Sequence, residues 1–351
     1  MVHLGHGEWI VIDSCRSRAS GRAAALEYLQ GLGVDVSRAV RLIVVSHFHD
    51  DHIRGIASVV REARSAKVVV SAALQQKEFF QFVEASREAH ESTGGGEFSQ
   101  LLDVLKQRRE HGTAAPAVSP QWAVSDMRLY QREGVGDVTP AEVWALSPPP
   151  AALGLSFQEI ARTLPRRGAP QRRAVMLTPN RAAIAVWLSV GNAAVLLGAD
   201  LEDGGAPTLG WRAVVSSTAR PQARAGSFKV AHHGSINGHN ADVWDQMLAA
   251  DAYALVTPYA AGRKFLPSRE DVSRRNGLTS RAYCTALPGG WSPRRRGNAV
   301  ERTLRELAPA RRALTGGAVG HLRIRSSALA VAVDPTIELF NGAVKLSDLK
   351  E

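Results

Sequence analysis

The feature that most constrains this chain is a cluster of histidines and aspartates that directly follows an apolar run. Residues 40–46 are VRLIVVS, and residues 47–52 are HFHDDH. Three histidines and two aspartates within six residues would be very unfavourable in an apolar core, because each polar group would need a partner there. At the end of a strand the same side chains can converge on a cation, and imidazole nitrogens with carboxylates suit zinc and related transition metals. The cluster therefore predicts a metal site, and a solvated polar loop is the alternative.

Two later segments add side chains that can bind metals. The apolar run LLGAD ends in the carboxylate of Asp200, and residues 228–235, FKVAHHGS, contain the adjacent pair His232 and His233. A single aspartate at a strand end is usually a turn or capping residue. Its place after a predicted hairpin and before a second histidine loop favours a metal ligand instead. The residues alone leave open whether His232 or His233 is the ligand, and His239 is a further candidate.

The pattern of apolar segments predicts an α/β protein. Runs rich in β-branched residues at 8–14 and 40–46 predict strands, and the segment between them predicts a helix that ends at glycine. Strand and helix patterns alternate along the rest of the chain. Because no internal repeat and no long linker divides the sequence, a single domain over residues 1–351 is expected. Residues 76–140 are predicted to form a helical insertion within that domain.

The chain is strongly basic. Its formal net charge is +10, and residues 259–325 contain 15 Lys and Arg against 4 Asp and Glu. Such a surplus either keeps a protein in solution or attracts a polyanion such as nucleic acid. Arginine enrichment from a GC-rich genome is an equally good explanation of the composition.

Composition also bears on location. Two cysteines are too few for a disulfide framework and fit a reducing cytosol. The sequence contains no run of eighteen apolar residues that would predict a transmembrane helix. Its first fifteen residues lack the charged head and apolar block of a signal peptide. A cytoplasmic protein without a membrane partner is therefore expected.

The three motifs together resemble the metallo-β-lactamase superfamily. The segment FKVAHHGS and the opening GHGEWIVIDS are most similar to the metallo-β-lactamase domain of the DNA-uptake protein ComEC and its stand-alone relatives, and Asp13 matches the family's structural aspartate. The resemblance implies an αββα sandwich of two mixed sheets flanked by helices. It also implies two divalent ions, Zn²⁺ or Mn²⁺. The implied metal ligands are His47, His49, Asp51, His52, Asp200, His232 and His233.

The resemblance assigns the ligands as follows. His47 and His49 would hold one ion. Asp51 and His52 would hold the other, and Asp200 would bridge the two. Many superfamily members have another histidine ligand before the bridging aspartate, where this chain offers only His90 and His111. Relatives of the ComEC group often have His-Pro where this chain has Phe265-Leu266-Pro267.

Two divalent ions 3.5–4 Å apart can share a hydroxide, a general arrangement that serves the hydrolysis of phosphodiesters, esters, lactones and β-lactams alike. The basic charge and the ComEC-like loop favour a nuclease or phosphodiesterase acting on DNA or another nucleic acid. The predicted catalytic residues are Asp51, Asp200 and His233, and the predicted substrate-binding residues are Lys229, Ser235, Arg294, Arg295 and Arg296. The alternatives are a small-molecule hydrolase, such as a lactonase or β-lactamase-like enzyme, and a gated effector subunit with a protein partner or regulator.

Overall fold

The computed structural model describes residues 1–17, 19–75, 94–110, 119–163, 178–261, 264–289, 291, 303, 320–329 and 334–349. Its described strands form two large sheets and two short hairpin sheets. The first large sheet contains, in spatial order, β1 (Val2–His3), β2 (Trp9–Ile12), β3 (Val40–Val45), β4 (Lys67–Ser71) and β5 (Gln121–Ala123).

The second large sheet contains eight strands. In spatial order these are β17 (Val344–Lys345), β14 (Ala282–Cys284), β11 (Leu248–Val256), β10 (Ala225–Lys229), β9 (Ala193–Leu197), β8 (Val186–Val190), β7 (Ala141–Ala145) and β6 (Met127–Arg132). The short sheets are β12 (Tyr259–Ala261) with β13 (Lys264–Leu266), and β15 (His321–Arg325) with β16 (Thr336–Phe340).

Eight α-helices are described, most of them on the outer faces of the two sheets. They are α1 (Ala24–Gly31), α2 (Val36–Ala39), α3 (Asp50–Ile53), α4 (Ile56–Glu62), α5 (Gly94–Glu110), α6 (Pro150–Thr163), α7 (Gly210–Ser216) and α8 (Arg269–Leu278). Among the described residues, no helix is both long and apolar enough to cross a lipid bilayer.

Strand β3 shows why the sheets are layered. Its residues are apolar at nearly every position, as is typical of a strand that is buried on both faces. Leu42 and Val44 pack in a core between the two sheets, where they meet Val186 and Leu188 of β8. Ile43, one step along the same strand, points to a core shared with α1, α4 and α5. A third core lies on the far face of the second sheet. The layers are therefore helix, sheet, sheet and helix, and the predicted α/β sandwich of two mixed sheets is confirmed.

The strand directions bring two sets of loops to one edge of the sandwich. Strands β2 to β5 are parallel, and so are β9, β10, β11 and β14. The remaining neighbours in both large sheets are antiparallel. In parallel sheets the loops after the carboxyl ends of the strands form the ligand-binding crevice.

The predicted insertion at 76–140 is helical only in part of what the structure describes. Residues 94–110 form α5, whose Phe98 and Leu101 pack in the core beside α4. Residues 121–123 and 127–132 form the edge strands β5 and β6, and Ala123 and Leu129 bury their side chains between the sheets. Residues 76–93 and 111–118 lie outside the described residues.

Candidate metal centre

The candidate centre lies at the edge where strands from both sheets end. Asp13 follows β2, and the motif that begins at Ser46 follows β3. Asp200 follows β9, and His233 follows β10. A backbone hydrogen bond joins the two halves: Ile184 N donates to Ser46 O at 3.0 Å.

Two groups of ligand atoms form here, and they share one aspartate. The first group contains His47, His49 and Asp200. The second contains Asp51, His52, Asp200 and His233. Within each group the nitrogen and oxygen atoms lie within 4.8 Å of one another. Asp200 is 2% exposed, so its two oxygens can face both groups without competition from bulk water.

The contacts within the second group are close. His52 Nε2 lies 3.1 Å from Asp200 Oδ1. His233 Nε2 lies 3.0 Å from Asp51 Oδ2 and 3.4 Å from Asp200 Oδ2. Nitrogen and oxygen atoms at these separations converge on one small volume, as expected of ligands around a common cation.

Asp13 and Ser46 orient two of the histidines from outside the centre. Asp13 Oδ2 lies 2.7 Å from His52 Nδ1 and accepts a hydrogen bond from Ser46 Oγ at the same distance. Asp13 Oδ1 accepts from Ser46 N, also at 2.7 Å. Since the Ser46 hydroxyl donates to Asp13, it accepts from His47 Nδ1, 3.0 Å away. Both histidines therefore carry a proton on Nδ1, which leaves Nε2 as the ring nitrogen available to a metal ion.

His233 is oriented in the same way from the other sheet. Its Nδ1 donates to the carbonyl of Thr257, 3.0 Å away, at the end of β11. The three residues 232–234 have positive φ angles of 47°, 54° and 80°. Such backbone is strained for side chains other than glycine and persists only where the surroundings impose it. The Nε2 atoms of His52 and His233 thus face the two aspartates.

Two arginines of α8 hold this strained turn. Arg274 Nη2 donates to Gly234 O at 3.1 Å, and Arg275 Nη2 donates to the same carbonyl at 3.2 Å. Arg275 is fully buried and lies over the ring of Trp244. Burial is also the main reason that the pKa of Arg275 falls to about 9.

His232 lies outside both ligand groups. Its Nδ1 is 3.3 Å from Glu202 Oε1, and its Nε2 is 3.5 Å from Asn180 Nδ2. Asn180 Nδ2 also donates to Glu202 Oε1 at 3.2 Å. Of the two adjacent histidines, the structure therefore brings His233 to the centre and places His232 beside it, against a carboxylate and an amide.

The charges of the centre are strongly coupled. Burial would raise the pKa of Asp200, but hydrogen bonds with His233 and His52 hold it well below its usual range. Burial would lower the pKa of His52, but hydrogen bonds with Asp13 and Asp200 raise it to about 10. Burial and the charge of His52 lower the pKa of His47 to about 3. The buried carboxylates therefore require positive charge, which protons supply in the metal-free chain and divalent cations would supply in the loaded one.

The predicted substrate-binding residues do not belong to either ligand group. Lys229 is a half-buried residue of β10, and burial lowers its pKa despite the nearby charges of Asp200 and Asp13. Ser235 is buried, and its backbone N–H donates to His232 O. Arg294, Arg295 and Arg296 lie outside the described residues, as do His90 and His111. His239 contacts Arg275 at 3.4 Å rather than either ligand group.

Several residues of the centre carried no recognisable sequence signal. Thr257 contributes only its carbonyl, and the anchoring arginines are far from the motifs along the chain. Glu202 is the exception, because a second carboxylate two residues after Asp200 is visible in the sequence. Tyr259, whose ring lies 4.9 Å from the ring of His233, belongs to a hairpin that the apolar pattern did not indicate.

Part of the chain is similar to known proteins. Residues 1–146 match the family model of the metallo-β-lactamase superfamily. No curated protein matches the chain. Among solved structures, the chain is similar to a HARLDQ-motif mutant of a metallo-β-lactamase from Cronobacter sakazakii, with 15% identity, a TM-score of 0.29 and coverage of 57% of each chain. The matched residues 1–146 include Asp13 and the first histidine motif, and Asp200 and His233 lie beyond them.

Proposed function

We propose that the chain is a metal-dependent phosphodiesterase that acts on DNA or another nucleic acid. The observation that carries the proposal is the pair of ligand groups that share Asp200 at the edge of the sandwich. The ComEC-like segment FKVAHHGS supports a nucleic-acid substrate, and so does the basic surplus of residues 259–325.

The residues present fit two divalent transition-metal ions. The buried Nε2 of His47 makes no hydrogen bond within the described part of the chain, although a lone pair there would otherwise require a donor. The remaining donors are imidazole nitrogens and carboxylate oxygens, the set preferred by zinc and manganese. When bound, such ions polarise a phosphoryl oxygen and lower the pKa of water.

The chain's own residues contribute orientation and charge. Asp200 would hold one ion in each group, and His47 with His49 would complete the first group. Asp51, His52 and His233 would complete the second. Asp13, Ser46 and Thr257 fix the histidine tautomers, so that little rearrangement is needed on binding. His232 lies beside the centre, against Glu202, and would contact the substrate rather than a metal ion.

Hydrolysis assays test this proposal. Protein reconstituted with Zn²⁺ or Mn²⁺ should cleave plasmid, single-stranded DNA or RNA, as well as bis-p-nitrophenyl phosphate. Asp200→Asn should lose this activity by orders of magnitude, because both ligand groups lose a charge. Hydrolysis of a lactone or a β-lactam without cleavage of any phosphodiester would instead support a small-molecule hydrolase. Activity that appears only with an added protein would support a gated subunit.

The arginines at 294–296 provide a test of substrate class. If they contact phosphates, replacing all three by alanine should flatten the dependence of nucleic-acid affinity on salt concentration. Hydrolysis of bis-p-nitrophenyl phosphate should stay nearly unchanged. If the triple variant binds and cuts DNA and RNA as the parent does, these arginines serve only solubility.

A further inference from the structure

The hairpin formed by β12 and β13 stands beside the metal centre and presents one face to it. Tyr259 pairs with Leu266, Ala260 with Phe265, and Ala261 with Lys264. Directly opposed residues of an antiparallel pair share a face, and successive residues alternate. Tyr259 and Lys264 are therefore on the same face of the hairpin, and Phe265 is on the other.

Contacts show which face meets the centre. The Tyr259 ring lies 4.9 Å from the ring of His233, at an interplanar angle of 31°. On the opposite face, the Phe265 ring packs directly against the backbone of Gly289, where a Cβ atom could not be accommodated. Phe265 thus anchors the hairpin to Gly289, and Tyr259 and Lys264 lie on the face that meets the metal centre.

Lys264 is an exposed cation on this face of the hairpin. Within the described ranges it forms no ion pair with a carboxylate, in contrast to arginines such as Arg281 and Arg323. Its cross-strand partner Ala261 is two residues from Tyr259, which corresponds to about 7 Å along the hairpin. An anion bound by Lys264 would therefore lie apart from a phosphodiester bound at the metal centre.

We propose that Lys264 binds a second phosphate of a polynucleotide, the one adjacent to the phosphodiester at the metal centre, with the Tyr259 ring as the wall between them. This inference rests on the proposed phosphodiesterase function. It makes Lys264 a specificity-determining residue that favours substrates with several phosphates over isolated diesters. A single-phosphate substrate reaches the centre without using this cation.

The test compares Lys264→Ala and Lys264→Arg with the metal-loaded parent. The control is Lys106→Ala, which removes an exposed lysine from α5, remote from the centre along the chain. Binding of a fluorescent, nuclease-resistant phosphorothioate 12-mer is followed by anisotropy over a range of salt concentrations. Lys264→Ala should weaken binding about tenfold and reduce the salt slope by about one, whereas Lys264→Arg and Lys106→Ala should retain the parent slope.

Activity provides the second readout. Lys264→Ala should raise KM for cleavage of the corresponding phosphodiester oligonucleotide and leave kcat/KM for bis-p-nitrophenyl phosphate within about twofold of the parent. An unchanged salt slope, or equal losses on both substrates, would overturn the inference and leave the phosphodiesterase proposal intact. If the parent cleaves no phosphodiester, the proposed function fails, and the anisotropy series still decides whether Lys264 contacts a phosphate.

Discussion

Asp13 is expected to control metal affinity without being a ligand, and Asp13→Asn tests this. Its carboxylate receives three hydrogen bonds of 2.7 Å, from Ser46 N, Ser46 Oγ and His52 Nδ1. Asparagine tolerates the positive φ of 58° at this position, so the substitution changes the side chain with little backbone strain. Its amide offers one oxygen, and its NH₂ group would face at least one of the three donors.

The magnitude follows from these contacts. One partly buried donor left unpaired costs about 1–3 kcal/mol of the free energy of unfolding. Loss of an outer partner of a metal-binding histidine typically lowers metal affinity about 10–100-fold. The larger effect is expected in the group that contains His52, and a smaller one at His47, which Asp13 reaches only through Ser46.

Competition titrations of Zn²⁺ against a chromophoric chelator measure the affinity, and urea unfolding of the metal-free protein measures the stability. Asp126→Asn is a matched control, since Asp126 also has a positive φ (60°) and accepts a hydrogen bond from a serine hydroxyl, that of Ser217 at 2.8 Å. Parent-like affinity for both ions in folded Asp13→Asn would refute the proposed role of Asp13.

Three further outcomes are expected. His233→Ala should retain about one metal ion fewer than the parent by elemental analysis, whereas His232→Ala should retain the parent number because it lies outside both ligand groups; equal losses would show that His232 also binds a metal. Hydrogen bonds raise the pKa of His52 to about 10 in the metal-free chain, so metal binding must release a proton from this residue. Metal affinity should therefore rise with pH, by up to about tenfold per pH unit below pH 10. Isothermal titration at pH 6, 7 and 8 measures this, and an equal metal affinity at all three values would contradict it. In Gly198→Ala the new Cβ would lie 2.8 Å from Ala231 Cβ and force apart the loops that carry Asp200 and His233. Metal binding should therefore weaken in this variant. The control Gly226→Ala, which has open space around the new Cβ, should bind metal as the parent does.

The first histidine motif was readable from sequence because its residues are contiguous and follow a strongly apolar strand. Asp200 and His233 could be nominated from their strand-end positions, but only the parallel arrangement of β9 and β10 shows that they meet. The choice between His232 and His233 depends on a carbonyl 24 residues away, that of Thr257. No local pattern encodes such a contact.

The β12–β13 hairpin and the edge strand β5 were not predicted for a different reason, which is the shortness of their strands. Strand β5 has only three residues and is recognisable mainly through its pairing with β4, so the sequence places its segment in the predicted insertion rather than in a sheet. The placement of Lys264 depends on the register of a hairpin whose strands also have three residues each. Short strands offer too few alternating positions for periodicity to be seen, and tertiary pairing decides their structure.

The most direct test of a two-metal centre that shares Asp200 is anomalous diffraction from crystals grown with Zn²⁺ or Mn²⁺. Two anomalous peaks are expected at the edge of the sandwich, one among His47, His49 and Asp200 and the other among Asp51, His52, Asp200 and His233. A carboxylate oxygen of Asp200 should lie within bonding distance of each peak. The absence of any peak there, or a single peak that Asp200 does not contact, would contradict the shared two-metal centre.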